Sequence, residues 1–173
     1  MAVTAHKVLV VGGTGHFGRL LVDDHIHMAP GNRVPRSRGT ITSLLHSVGR
    51  PFTVFREGRW CTVRGWSGAR DFTFPQPIGL RRGYLVDVPD HEFFPEIFRA
   101  NTVEFRTASE LRILNLAVSS LGGLVRSGLV RTWVPWSRSF QRTAALLGFM
   151  GHDWGGVGVE VVGTEAGAET DVG

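Results

Sequence analysis

Cysteine, lysine and tyrosine are scarce in this chain of 173 residues, which contains one of each. The single cysteine, Cys61, cannot form an internal disulfide or supply the several thiolates of a structural metal site. Long apolar runs are also missing, because the charge-free stretch 113–125 is shorter than the about 20 residues of a spanning helix. The apolar run after Lys7 leads into glycines, so we expect no signal peptide and a cytosolic protein without a membrane partner.

Acidic residues are scarce in the first part of the chain. Residues 1–70 contain ten Lys and Arg but three Asp and Glu, a net charge of +7, whereas residues 71–173 have a net charge of −3. A basic segment favours nucleic acid or a phosphate-bearing cofactor as partner. Solvated arginine side chains are an equally good explanation. The hydrophobic fraction of 42% is enough to fill a core, which excludes disorder of the whole chain.

A glycine-rich sequence follows the first apolar run. The run over residues 7–11 is short, β-branched and bounded by glycine, which predicts a buried parallel strand. Residues 12–18 follow it as Gly-Gly-Thr-Gly-His-Phe-Gly. We expect a helix to begin in this sequence and to run to about Met28, before Pro30.

A strand, a glycine loop and a helix form the context that the dinucleotide-binding fingerprint requires. Gly13 permits the tight turn, and Gly15 lets the backbone approach a pyrophosphate at the start of the helix. Gly18 lets the helix pack closely on the strand. The alternative is a strand–turn–helix that needs glycine for its geometry alone.

The acidic residue that would hold an adenosine ribose is missing. After Asp24 the next acid is Glu57, and three arginines at positions 33, 36 and 38 occupy the region instead. Arginine suits a ribose 2′-phosphate, so NADP is favoured over NAD. Solvated loop charges are the alternative. The candidate cofactor-binding residues are Gly12, Gly13, Thr14, Gly15, His16, Phe17, Gly18, Arg36 and Arg38.

The later part of the chain has an α+β pattern. Alternating and β-branched residues predict strands, and apolar residues at helical spacing predict helices. The expected strands are 52–55, 60–66, 72–74, 83–88, 102–107 and 157–162, and the expected helices are 40–48, 89–98, a helix capped by Ser109 and weakened or ended at Gly122–Gly123, and 137–149.

Other polar residues are assigned structural roles. His25 and His27 lie two positions apart, so on a helix they do not share a face, and we expect surface histidines and no metal site. Glu104 and Arg106 lie on one strand face and are expected to pair. Asp90 is expected to cap a helix. No catalytic residue can be named.

The sequence from Val10 to Arg19 resembles the N-terminus of the saccharopine dehydrogenase-like oxidoreductases. Residues 77–87, 102–106 and 155–161 are similar to segments of the second, substrate-side domain of that family. The resemblance implies NAD(P)-dependent oxidoreduction of a small-molecule substrate, often at a carbon–nitrogen bond.

The chain is short for that family, because a βαβ unit takes about 30 residues or more and a dinucleotide domain needs several. The middle of the nucleotide-binding domain is therefore expected to be missing. We expect an α/β chain with a Rossmann-type βα remnant at 1–30, a linker at 31–51 and an α+β substrate-like region at 52–173, whose acidic tail frays from 163. Unpaired strand edges favour a homo-oligomer.

The same glycine loop also resembles short-chain dehydrogenase/reductases, whose chemistry needs a tyrosine with a lysine four residues later. Tyr84 is followed at that spacing by Val88, so that mechanism is excluded. Two functions stay open. One is an NADP-dependent oxidoreductase, active or inactivated by the truncation. The other is a non-enzymatic remnant or, less favoured, a basic module that binds nucleic acid.

Overall fold

A mixed β-sheet with helices forms the α/β fold that the sequence predicts. The computed structural model describes residues 5–8, 22–33 and 35–163. The strands are β1 (Ala5–Val8), β2 (Val22–Ala29), β3 (Pro51–Arg56), β4 (Arg59–Arg64), β5 (Arg70–Thr73), β6 (Leu80–Leu85), β7 (Thr102–Thr107) and β8 (Gly156–Gly163). The helices are α1 (Arg38–Ser47), α2 (Asp90–Phe98), α3 (Arg112–Arg126) and α4 (Ser137–Leu146), with 3₁₀ turns at Val134–Trp136 and Leu147–Met150.

The sheet is organised around β2 and β7, which pair in parallel. The strand order is β1-β8-β2-β7-β3-β4, and β8 runs antiparallel to both β1 and β2. The far edge of β7 carries two branches. The β3–β4 hairpin pairs with it at Val103, and the β5–β6 hairpin pairs with it at Arg106 and Thr107.

A buried histidine lies between these two branches. His91 of α2 is 1% exposed, and its Nε2 accepts a hydrogen bond of 3.0 Å from the backbone N–H of Phe105. Neither hairpin pairs with Phe105. His91 therefore accepts a hydrogen bond from a backbone N–H that has no partner in the neighbouring strands on this side of β7.

The helix predicted through Met28 is wrong over residues 22–28, because this segment is strand β2. Ile26 lies in the core below the sheet, whereas His25 and His27 alternate with it and lie on the opposite face. A period of two residues is the pattern of a half-buried strand. The helix was predicted because the glycine sequence before residue 22 is typical of a helix start, and this signal outweighed the short alternation in the prediction.

Strand β1 overlaps the strand predicted over 7–11 at Lys7 and Val8. The prediction of a parallel strand is wrong for these residues, because β1 pairs with β8 in antiparallel orientation. Since β2 is also antiparallel to β8, the directions of β1 and β2 are the same.

The range 31–51 contains helix α1 and is therefore not a loop throughout. The helix predicted over 40–48 is confirmed within two residues. Its N-terminus is capped by Ser37, whose Oγ accepts a hydrogen bond of 3.0 Å from the Thr40 N–H. Leu45 of this helix is buried, as predicted from the pattern.

Two predicted helix caps are wrong. α3 begins at Arg112 after Leu111, while the Ser109 N–H donates instead to Asn115 Oδ1 at 2.9 Å. α2 begins at Asp90 itself, with Pro89 in the cap position.

Helix α3 also continues through Gly122–Gly123 to Arg126. At this point it packs against Gly49, which has a φ of +73° and no room for a Cβ, since one would lie 2.7 Å from the Gly122 carbonyl oxygen. Tertiary packing thus outweighs the low helix propensity of the glycine pair.

The main core lies on one face of the sheet. Ile26 and Phe105 pack there with Trp66, Val48 and Val86, and side chains of α1, α2 and α3 cover them. The opposite face of the same strands is polar at its centre. The division into a remnant, a linker and a substrate-like region stays a prediction, although β2 is hydrogen-bonded to β7 and β8 within one sheet. None of the helices in the described ranges has the length and apolarity needed to cross a membrane.

The burial of Leu45 gives a test of the fold. We expect Leu45→Ala to lower the free energy of unfolding by about 2–5 kcal/mol, because the side chain is 1% exposed and its loss leaves a cavity. Leu146→Ala removes the same atoms at a position that is 73% exposed, so we expect a change within about 0.5 kcal/mol. Urea unfolding measures both, and equal losses would contradict this packing.

Candidate functional site

Charged and imidazole side chains face each other on the side of the sheet opposite the main core. In register, His25 of β2 lies opposite Glu104 of β7 and Glu160 of β8. One pair further along, His27 lies opposite Arg106 and Gly158. Residues that alternate along a strand share a face. The surface formed by His25, His27, Glu104, Arg106 and Glu160 is called the polar face below.

Glu104 is at the centre of the polar face. Its side chain is 5% exposed, and it is hydrogen-bonded by Arg106 Nη1 and by Arg56 Nε. His25 Nδ1 lies 3.3 Å from its Oε2. The pair of Glu104 and Arg106 that the sequence predicts is therefore confirmed, with Arg56 from β3 as a third member.

These neighbours keep Glu104 ionised. Burial on its own would raise the pKa of the carboxyl, but the His25 side chain and the guanidinium groups of Arg106 and Arg56 outweigh it, and the pKa lies well below its usual range. A buried carboxylate with two arginines is satisfied as long as all partners are present.

His27 is buried between an aromatic ring and the charged groups. It is 4% exposed, and its ring stacks on Phe72 with the centroids 4.2 Å apart. Its Nε2 lies 3.7 Å from Glu160 Oε2, which is too long for a hydrogen bond. Within the described part of the chain, neither ring nitrogen of His27 has a hydrogen-bond partner.

The surroundings of His27 disfavour its cationic form. Burial, followed by the positive charge of Arg106, lowers the pKa of His27 from 6.5 to about 4, although Glu160 opposes the shift. The imidazole is therefore neutral near pH 7. A neutral imidazole accepts a hydrogen bond or a proton at one nitrogen and donates at the other.

A pocket of about 460 Å³ opens beside His27. Its wall includes Arg70 and Phe72 of β5 and Glu160 of β8. Gly158 lies opposite His27 on β8 and brings no side chain, which leaves space next to the imidazole. This pocket is called the His27 pocket below.

The His27 pocket and the polar face bring together charges of both signs. Arg56, Arg70 and Arg106 bring three positive charges, and Asp71, Glu104 and Glu160 bring three negative charges. Arg70 Nη2 lies 3.4 Å from Glu160 Oε2 and is 41% exposed, so it can also reach a ligand. The arrangement suits a small organic molecule with a carboxylate or another anionic group.

The predicted cofactor-binding residues fall into two groups. Gly12, Gly13, Thr14, Gly15, His16, Phe17 and Gly18 lie outside the described residues. Arg36 is half-buried in the segment before α1, and Arg38 is exposed at the first position of that helix. In the described ranges, no hydrogen bond or ion pair joins either arginine to the polar face. Their role at a cofactor stays a prediction.

The histidines were assigned wrongly from the sequence. His27 is a buried residue of the polar face rather than a surface histidine, and His25 is half-buried beside Glu104. The alternation of His25, Ile26, His27 and Met28 was the signal that could have placed both histidines on one strand face. Over residues 5–8, 22–33 and 35–163, no group of His, Cys, Asp or Glu is arranged to hold a metal ion.

The central position of Glu104 predicts a large effect of its removal. Glu104→Gln removes the charge that faces Arg56 and Arg106, and we expect a loss of about 3–5 kcal/mol in the free energy of unfolding. Glu96→Gln, on the exposed side of α2, is the matched control and should change it by less than about 0.5 kcal/mol. Denaturant unfolding compares the two. Similar values for both variants would show that the polar face is not a buried ion-pair network.

The buried histidines predict a pH dependence. The pKa values of His27 and His91 are lowered to about 4, mainly by burial, so between about pH 4 and 6.5 the unfolded chain binds more protons than the folded chain. Stability should therefore fall as the pH falls through this window, by at most about 1.4 kcal/mol per pH unit for each histidine.

Unfolding free energies measured across this pH window test the assignment. His27→Gln should make the change of unfolding free energy with pH shallower. His46→Gln, at an exposed position, should leave this slope unchanged. A slope that is unaffected by His27→Gln would mean that His27 titrates normally in the folded protein.

Comparison with protein-family models and curated proteins gives no match that would test the resemblance to saccharopine dehydrogenase-like oxidoreductases. No protein-family model and no curated protein matches the chain. The resemblance therefore stays a prediction, and the functional proposal below depends on the geometry of the polar face and on the glycine sequence.

Proposed function

We propose that this chain is an NADP-dependent oxidoreductase of the saccharopine dehydrogenase-like type, with a small organic anion as substrate in the His27 pocket. The observation that carries the proposal is His27 itself. Its ring is buried on the wall of a pocket, and in the described ranges neither nitrogen has a hydrogen-bond partner. A buried polar group without a partner costs about 1–3 kcal/mol, and such groups are concentrated at functional sites.

The charges of the pocket define the kind of substrate. Arg70 supplies an exposed guanidinium for a carboxylate, and Glu160 supplies a negative charge for an amine on the same molecule. Phe72 provides an apolar wall. A small amino compound with a carboxylate fits these groups, in agreement with the carbon–nitrogen chemistry that the resemblance implies.

His27 supports the proton transfer that such a reaction needs. Bound NADP would supply the hydride acceptor for the carbon of the carbon–nitrogen bond. The nitrogen then gives up one proton, and the neutral imidazole of His27 is placed on the pocket wall to accept it. Arg106 lies opposite His27 and is held by its ion pair with Glu104.

The direction of the strands supports the cofactor part of the proposal. β1, β2 and β7 run in the same direction and end at one edge of the sheet. Arg36 and Arg38 follow β2 at that edge. Ligands of open α/β sheets bind outside the carboxyl ends of the strands.

A non-enzymatic protein is the second candidate, and strand β2 favours it. Residues 22–28 would continue the helix of a complete dinucleotide-binding unit, but they are part of the sheet. A chain with this arrangement could fold and bind a small anion without turning it over. The net charge of +7 over residues 1–70 keeps nucleic acid as a less favoured partner of this candidate. The cytosolic location and the homo-oligomer stay predictions.

Titration of the full chain with NADPH and NADH tests the cofactor part. We expect tryptophan fluorescence to change with NADPH at concentrations up to about millimolar, and more weakly with NADH, because arginine favours the 2′-phosphate. Gly15→Val should weaken NADPH binding by at least tenfold. Gly123→Val, in helix α3 where an added Cβ would meet only the end of the Arg126 side chain at 3.6 Å, is the control for a valine at a glycine position.

The outcomes separate the two candidates. No change with millimolar NADPH would refute the NADP proposal and leave the non-enzymatic protein. A salt-dependent shift in the gel mobility of RNA or DNA would then identify a nucleic-acid-binding protein. Without such a shift, an anion-binding remnant would be left. If NADPH binds, a set of amino acids with NADP tests turnover. His27→Gln should then abolish turnover and keep NADPH binding.

A further inference from the structure

A second cavity lies on the other side of the sheet, between the sheet and helices α1, α3 and α4. Its volume is about 200 Å³. Most of its wall is apolar and includes Leu45, Trp66, Leu114, Val118 and Phe140. It is called the Trp66 cavity below. Because its wall residues belong to the opposite layer, it is separate from the polar face and from the His27 pocket.

Four polar side chains interrupt this apolar wall: Arg36, Thr107, Ser109 and Thr143. Ser109 Oγ is buried and has no hydrogen-bond partner in the described part of the chain. Arg36 also lines the cavity, and none of the described residues forms an ion pair or a side-chain hydrogen bond with its guanidinium. One charged donor and one hydroxyl without a partner thus face a cavity whose wall is mostly hydrocarbon.

The charge of Glu110 acts on Arg36, but the oxygens of Glu110 are already hydrogen-bonded to other groups. Its Oε2 accepts hydrogen bonds of 2.9 Å from the backbone N–H groups of Asn32 and His152, and its Oε1 is 2.6 Å from His152 Nδ1. Burial lowers the pKa of Arg36, while the charge of Glu110 raises it. A guanidinium keeps its charge under such a shift, so Arg36 is a half-buried cation that an anion can approach from the cavity.

We propose that the Trp66 cavity binds a small monocarboxylate with an apolar body, whose carboxylate pairs with Arg36 and accepts a hydrogen bond from Ser109 Oγ. The apolar body fills the space against Trp66, Val118 and Phe140. A cavity of about 150 Å³ takes up benzene, so about 200 Å³ suits a body of medium size. A mostly apolar pocket with a few convergent polar groups is the usual form of a small-molecule site.

The position of the cavity agrees with this assignment. Pro30 follows the end of β2 and Ala108 follows the end of β7, and both residues line the cavity. The cavity therefore lies outside the carboxyl ends of the two parallel strands, where open α/β sheets bind ligands. The Trp66 cavity and the His27 pocket share no wall residue, so carboxylate binding does not depend on the reaction in that pocket. Arg36, a predicted contact of the NADP 2′-phosphate, is assigned here to the carboxylate.

Calorimetric titration of the full chain with straight-chain carboxylates, from butanoate upward, tests the proposal without any mutation. Affinity should rise roughly fourfold with each added methylene and then stop rising once the cavity is full. The alcohol of the same chain length should bind at least tenfold more weakly, because it cannot neutralise Arg36. Affinities that are equal for alcohol and carboxylate, or that keep rising with length, would overturn the proposal.

Two substitutions locate the site. Arg36→Met should weaken the carboxylate at least tenfold and leave the alcohol unchanged, whereas Arg38→Met removes the same charge from an exposed position and should have no effect. Ala144→Leu adds bulk to the cavity wall and should weaken both ligands. Circular dichroism checks that each variant is folded. Equal effects of Arg36→Met and Arg38→Met would show that the carboxylate binds to surface charge instead.

Discussion

The buried carboxylate of Glu104 is the constraint on which the two faces of the sheet depend. Glu104 lies in β7, a strand in which the residues from Thr102 to Arg106 are all buried. Arg106, Arg56 and His25 come from three different strands and meet at this one charge. If Glu104 is removed, the buried charge of Arg106 loses its carboxylate partner, which is far more costly than losing a surface ion pair.

The alternation along β2 and β7 places the core and the candidate site on opposite sides of the same residues. Ile26 and Phe105 hold the helices on one face, while His27 and Arg106 form the polar face on the other. A change of register by one residue would exchange the two faces. The ion pairs of Glu104 and the apolar contacts of Phe105 therefore specify the same register, and this register fixes the place of His27 beside its pocket.

The sequence predicted those parts of the fold whose signals are local. α1, β3, β7 and β8 follow from runs of a few residues, and Glu104 and Arg106 could be paired because they lie two positions apart on one strand. The histidines could not be placed in this way. Their neighbours depend on the pairing of β2 with β7 and β8, which are distant in the chain, and the glycine sequence favoured a helix in their place. The Trp66 cavity brings together Arg36 and Ser109, and no sequence pattern links these two residues.

A double-mutant cycle between Glu104 and Arg106 tests the central claim most directly. The unfolding free energies of Glu104→Gln, of Arg106→Met and of the double variant give the coupling between the two side chains. If the buried ion-pair network holds the register of β7, the coupling should be about 2 kcal/mol, because removing the second partner costs little once the first is gone. Losses that add to within about 0.5 kcal/mol would contradict this account.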